Sequence, residues 1–92
     1  MKDRSMEDRP YTEIYNEGWY ERVFKADVDS GELRWHRDKE DRIIEPIKQT
    51  DWFFQKDGGL PMKIEGQIHI PMGEWHRAIK GTGDLKIRIK KL

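Results

Sequence analysis

An all-β fold, a single antiparallel sandwich or barrel, follows from two features of the 92-residue sequence. From Tyr20 onward apolar and polar residues alternate with period two, the mark of strands with one buried face. Turn residues interrupt that alternation every eight to twelve positions and divide the chain into six or seven short strands. A parallel α/β sheet would need helical crossovers between its strands, and the spacing leaves no room for them.

Residues 1–10, MKDRSMEDRP, are mostly charged and close on proline, so a loose tail is expected. Tyr11, Tyr15 and Trp19 share a helical face, but Gly18 interrupts it and the segment is short, which predicts a single turn or an irregular arm. Residues 1–18 thus form an N-terminal arm and 19–92 the β domain, with any helix lying before Trp19. In the first strand Tyr20, Arg22, Phe24, Ala26 and Val28 fall on one largely apolar face. Asp29-Ser30-Gly31 is a turn. A second extended run spans Glu32 to about Ile47, bent near Pro46. Trp52 to Gln55 is a short aromatic strand, and Lys56-Asp57-Gly58-Gly59 supplies hairpin glycines. Met62 and Ile64 alternate with Lys63 and Glu65. Strands follow at Gln67–Ile70, Trp75–Lys80 and Leu85 to the end, separated by Pro71-Met72-Gly73 and Gly81-Thr82-Gly83-Asp84.

Composition narrows the function. Eighteen basic residues balance eighteen acidic ones, so there is no basic excess to bind nucleic acid through bulk charge. The row Lys86, Arg88, Lys90, Lys91 reads as a solvated, charge-protected edge strand. The longest apolar run is Trp52-Phe53-Phe54, far short of a membrane span, and the charged start lacks a signal-peptide core. Absence of cysteine excludes disulfides, thiolate metal sites and a thiol nucleophile, and suits a cytoplasmic protein. With 35% hydrophobic and 39% charged residues the core must be small, and a metal or a second subunit commonly relieves that condition. Ten aromatics exceed what so small a domain buries, which predicts a homodimer. Trp35, Trp52 and Trp75 are read as sheet-packing or interface residues rather than ligand-stacking ones.

Two stretches carry possible chemistry. His36, Asp38, Glu40 and Arg42 share one strand parity, so an imidazole and a carboxylate project together, roughly 6.6 Å apart along the backbone. In Pro71-Met72-Gly73-Glu74-Trp75-His76 a turn feeds directly into a strand whose early residue is His76. If that strand pairs near His36, then His36, Asp38 and His76 give two imidazoles and a carboxylate, an open triad suited to Fe, Mn, Ni or Zn. His69 lies between Ile68 and Ile70 at opposite parity and should face solvent.

These residues resemble the cupins, from about Tyr20 to the C-terminus. Gly31, then four residues, then His36-Arg37-Asp38 is similar to the family's first motif, with Asp38 in place of a second histidine. Gly66 through Pro71-Met72-Gly73-Glu74-Trp75-His76 is similar to the second, one residue shorter. The resemblance implies a single-domain double-stranded β-helix, or jelly-roll barrel. It also implies an HxD...H triad like that of iron oxygenases using a 2-oxo acid, with Lys80 or Arg88 as carboxylate-binding candidates; Arg88, on the polar face of the last strand, should lie outside.

Three functions follow. In the first, a cupin binds a divalent metal through His36, Asp38 and His76, with Glu40 as fourth ligand or supporting carboxylate and Arg42 as anchor for a small anionic or sugar-like substrate, in oxygenase- or isomerase-type chemistry. In the second, a metal-free cupin binds or epimerises a sugar through a His-Asp pair. In the third, a structural or regulatory dimer has no chemistry.

Overall fold

A computed structural model describes residues 10–92; the expected tail, Pro10 apart, lies outside them. Eight strands are present: β1 (Thr12–Asn16), β2 (Trp19–Phe24), β3 (Arg42–Pro46), β4 (Phe53–Lys56), β5 (Met62–Lys63), β6 (Ile68–Ile70), β7 (His76–Ile79) and β8 (Leu85–Lys91). They form a five-stranded sheet, β1-β2-β8-β3-β6, and a three-stranded sheet, β5-β4-β7. Every pairing is antiparallel. The all-β jelly-roll architecture read from the sequence is therefore present. No helix among the described residues is long and apolar enough to cross a membrane.

The core lies between the sheets. Phe24, Ile44, Ile68, Ile70, Leu85, Ile87 and Ile89 come from the larger sheet and meet Phe54 and Ile64. β8 shows the alternation most plainly: Leu85, Ile87 and Ile89 are buried while Arg88 and Lys90 are exposed. Each such side chain, fully buried, stabilises the fold by about 1.5–3 kcal/mol. Trp52 has no exposed surface and satisfies its indole by donating from Nε1 to the Gly83 carbonyl at 2.7 Å.

The structure corrects the sequence reading at four places. The first is 11–18, where an irregular arm was expected and β1 stands instead, paired with β2 from Thr12↔Val23 to Asn16↔Trp19. Glu17 and Gly18 both take positive φ, 52° and 89°, the two-residue turn whose twist suits a hairpin, and Gly18 carries the less tolerable angle. The Tyr11/Tyr15/Trp19 spacing is a coincidence of two faces: Tyr15 packs on Tyr20, and Trp19 lies under Arg88. Second, the extended run from Glu32 is a strand only over Arg42–Pro46. The nine residues before it are irregular because neighbours other than one continuous strand satisfy their backbone: His36 bonds to His76, Asp38 O accepts from Gly73 N, and Asp41 O accepts from Leu92 N. Third, the helical turn among the described residues is a 3₁₀ turn at Ser30–Glu32, after Trp19 rather than before it. It is capped by Asp29, whose carboxylate accepts from Gly31 N. Fourth, β8 is central, not an edge. Its outward charges are covered laterally: Arg88 pairs with Glu45, and Lys90 lies 5.6 Å from the Trp19 ring centroid.

Candidate metal centre

Two copies of one tripeptide build the site, Trp35-His36-Arg37 and Trp75-His76-Arg77. They meet in an antiparallel bridge centred on the histidines, with His36 N donating to His76 O at 3.0 Å and His76 N to His36 O at 2.8 Å. Alternation sends both imidazoles to one face and the flanking residues to the other. Because the segments run oppositely, each tryptophan meets the other's arginine: the Arg77 guanidinium lies 4.7 Å from the Trp35 ring and that of Arg37 5.1 Å from Trp75. Trp35 thus faces away from the site, as its parity required.

Local bonds match as well. His36 Nδ1 lies 3.0 Å from the Arg34 carbonyl and His76 Nδ1 2.8 Å from that of Glu74. A carbonyl oxygen at that distance needs a donor, so each Nδ1 carries the proton and each Nε2 presents a lone pair. Burial pushes the His76 imidazole below its ordinary range; the Glu74 carbonyl and Asp38 oppose the shift, and His36 and Arg42 add to it. His76 is accordingly neutral near pH 7.

Asp38 closes the set. Its backbone is tied to the Pro71–Gly73 turn through Gly73 N, and its side chain is only 7% exposed. Arg42 Nη1 lies 3.3 Å from Oδ1. The other oxygen, Oδ2, is buried, has no hydrogen-bond partner among the described residues, and lies 3.4 Å from His76 Nε2. Ligand atoms of His36, Asp38 and His76 all fall within 4.8 Å of one another. Two donors 2.0–2.2 Å from one ion are at most about 4.4 Å apart, so slight side-chain rotation suffices to close them on a cation.

Glu40 is not brought into this group. It accepts from Arg42 Nε at 3.1 Å, and although burial acts to raise its pKa, the Arg42 charge and hydrogen bond outweigh it and hold the carboxyl below the ordinary value. The fourth-ligand reading assumed a continuous strand that does not form. Arg42 does line the site, fastened between Asp38 and Glu40. Lys80 donates to the Val28 carbonyl at 2.7 Å and Arg88 lies outside beside Glu45, so neither serves the site. His69 is exposed on the outer face of β6.

Two spaces adjoin the cluster. Inward is a cavity of about 60 Å³ whose wall is largely apolar, including Phe54, Ile64 and Leu85. Outward is an open pocket of about 330 Å³ that adds Tyr11, Leu33 and Arg34; Arg22, His36, Asp38 and Arg42 line both spaces. The sequence reading passed over Arg22, Arg34 and Tyr11. A signal for Arg22 existed: it is the charged member of the otherwise largely apolar face of β2. The repeated Trp-His-Arg tripeptide likewise marked the two histidines as partners.

Comparison with solved structures places the fold. Protein NMB1881 from Neisseria meningitidis superposes with a TM-score of 0.59 at 16% identity, over 89% of this chain and 82% of that one. A cupin domain from Bordetella pertussis gives 0.56 at 18% identity, over 89% and 91%. No family model and no curated protein matches the sequence. The class is thus a small protein of cupin fold. It carries a His-Asp-His cluster able to hold a metal ion.

Proposed function

We propose that this chain is a metal-binding cupin in which His36 Nε2, Asp38 Oδ2 and His76 Nε2 hold one divalent cation, Fe, Mn, Ni or Zn. The observation that carries this reading is the facing of two acceptors. Asp38 Oδ2, buried and without a hydrogen bond, lies 3.4 Å from a His76 nitrogen whose proton is on the opposite side of the ring. Lone pairs so placed repel unless a cation sits between them, and leaving them unmatched costs about 1–3 kcal/mol.

When bound, the ion would supply Lewis-acid chemistry. The chain's own residues supply the rest. The Arg34 and Glu74 carbonyls fix both imidazoles in the tautomer a ligand needs. Arg42 orients Asp38 and is itself oriented by Glu40. The open pocket beside His36 and Asp38 admits a small molecule, and a small substrate converted by oxygenase- or isomerase-type chemistry is the activity that setting supports. Elemental analysis of the purified chain, before and after dialysis against a chelator, tests the reading. About one equivalent of a first-row divalent metal per chain is expected. Chains that stay metal-free and gain no stability from any of the four ions would favour instead a metal-free cupin acting on a sugar through His76 and Asp38, or a non-catalytic dimer.

A further inference from the structure

The two spaces beside the cluster share most of their polar residues and differ in much of the rest of their walls. The open pocket is lined by the guanidiniums of Arg22, Arg34 and Arg42 and by Asp38; Arg42 is held between Asp38 and Glu40, which leaves Arg22 and Arg34 as the arginines placed to receive an anion. Arg22 is the telling member. It projects from the inward face of β2 and is only 12% exposed, where an apolar residue would serve folding equally well. Among the described residues Glu13 is its one carboxylate partner, bonded at Nε, and the Tyr11 ring lies 4.1 Å from its Cζ. The side chain is therefore held at its neck and across its face, an arrangement that presets the terminal fork for a planar, two-oxygen anion. Arg34 has no carboxylate partner among the described side chains. The inner cavity shares Arg22, His36, Asp38 and Arg42 with the open pocket and adds His76, but the rest of its wall is apolar, Ile44, Phe54, Ile64 and Leu85 among it. A hydroxyl set against that part finds no partner, and a buried unpaired polar group is costly. At about 10–15 Å³ for each water-sized group, 60 Å³ holds roughly four non-hydrogen atoms.

We propose that the ligand of this site is a short-chain carboxylic acid, its carboxylate received by Arg22 with Arg34 and its apolar tail of about four non-hydrogen atoms seated in the inner cavity. The acid passes the His36–Asp38–His76 cluster, which puts the carbons next to the carboxylate beside it. This deepens the proposed function by choosing the anionic substrate over the sugar-like one, and it rests on that reading only for what happens to the acid, not for its binding.

Titration calorimetry on the chelator-treated chain tests it, with acetate, butanoate, 3-methylbutanoate and octanoate compared with 3-methylbutanamide and 3-methylbutanol. Affinity should rise roughly fourfold per added methylene up to 3-methylbutanoate and fall again at octanoate. The amide and alcohol should bind at least about tenfold more weakly than the acid. Arg22→Lys and Arg34→Gln should each weaken the acid severalfold and leave the amide unchanged. Equal affinity for acid and amide, or no dependence on tail length, overturns the proposal without touching the metal reading, which metal uptake by the same samples decides separately. Acid binding that appears only after metal is restored also overturns it, because the ion rather than the arginines would then hold the anion.

Discussion

The His36 ring sits edge-on to that of His76, with centroids 4.3 Å apart and planes at 63°. Both rings hang from one antiparallel bridge, so their separation is set by backbone geometry rather than by flexible side chains. A cation bound between them would require little reorganisation.

Adding Fe(II), Mn(II), Ni(II) or Zn(II) should raise the melting temperature in proportion to the logarithm of free metal, since the ion binds only the folded chain. His76→Ala should abolish the increment. His69→Ala should preserve it, because His69 points outward from β6. Differential scanning calorimetry with and without metal measures both.

The metal-free chain should lose stability as pH falls through the histidine range. The folded His76 pKa lies below its ordinary value, near 6.5, so the unfolded state takes up its proton first. The stabilising contribution is present in full above about pH 6.5, shrinks as pH drops toward the folded value, and is gone below it. Urea midpoints at pH 7.5 and 5.5 should differ in the wild type and differ less in His76→Gln.

Loss of one outer tryptophan–arginine contact should loosen the histidine bridge. Arg37→Ala should cost about 0.5–1 kcal/mol, the range for an exposed cation–π pair, and weaken metal binding by a few-fold although it touches no ligand. A double-mutant cycle with Trp75→Ala separates the contact from general destabilisation. Additive effects would show that the pairing does not act as a unit.

Gly81→Ala should destabilise the fold by about 1–3 kcal/mol. A Cβ there would fall 2.2 Å from Asp51 Oδ1 and 2.8 Å from the Asp51 backbone carbon. That carboxylate accepts from both the amide and the hydroxyl of Thr82, which holds its pKa below the ordinary value. Thermal unfolding of Gly81→Ala beside Asp51→Asn measures the loss.

A homodimer remains the expected assembly, and the surface that would form it is narrower than ten aromatics suggest. Tyr11 packs on Phe24 and Trp19 under Arg88, whereas Ile14 and Tyr15 on the outermost strand are 69% and 62% exposed. Light scattering should give twice the chain mass, and Ile14→Lys should halve it.

The alternating strands were legible because a buried face writes period two into the sequence: Leu85, Ile87 and Ile89, or Ile68 and Ile70 around the outward His69. The hairpin at β1 was not, because its turn depends on two positive φ angles and only one belongs to a glycine. His36, Asp38 and His76 could be named from motif and parity, although Asp38 arrives from a loop and not from the strand that parity assumed. Glu40 as a fourth ligand rested on that same assumption, whereas its alternative place as a supporting carboxylate accords with its bond to Arg42. Arg22 escaped notice because it is far in sequence from the motifs and meets the cluster only when β2 and the loop before β3 are folded together, and Arg34 because it stands in the spacer between Gly31 and His36.

The crossed Trp35–Arg77 and Trp75–Arg37 pairs put an optical reporter on the back of the candidate centre. Both indoles are partly exposed and lie one residue from a histidine, whereas Trp52 is sealed in the core. In Trp19→Phe, which removes the fourth, half-buried indole, emission should therefore resolve into a red, acrylamide-sensitive component and a blue, protected one. A paramagnetic ion at the histidines should darken the first and spare the second, so that occupancy of the interior can be followed from outside without a label.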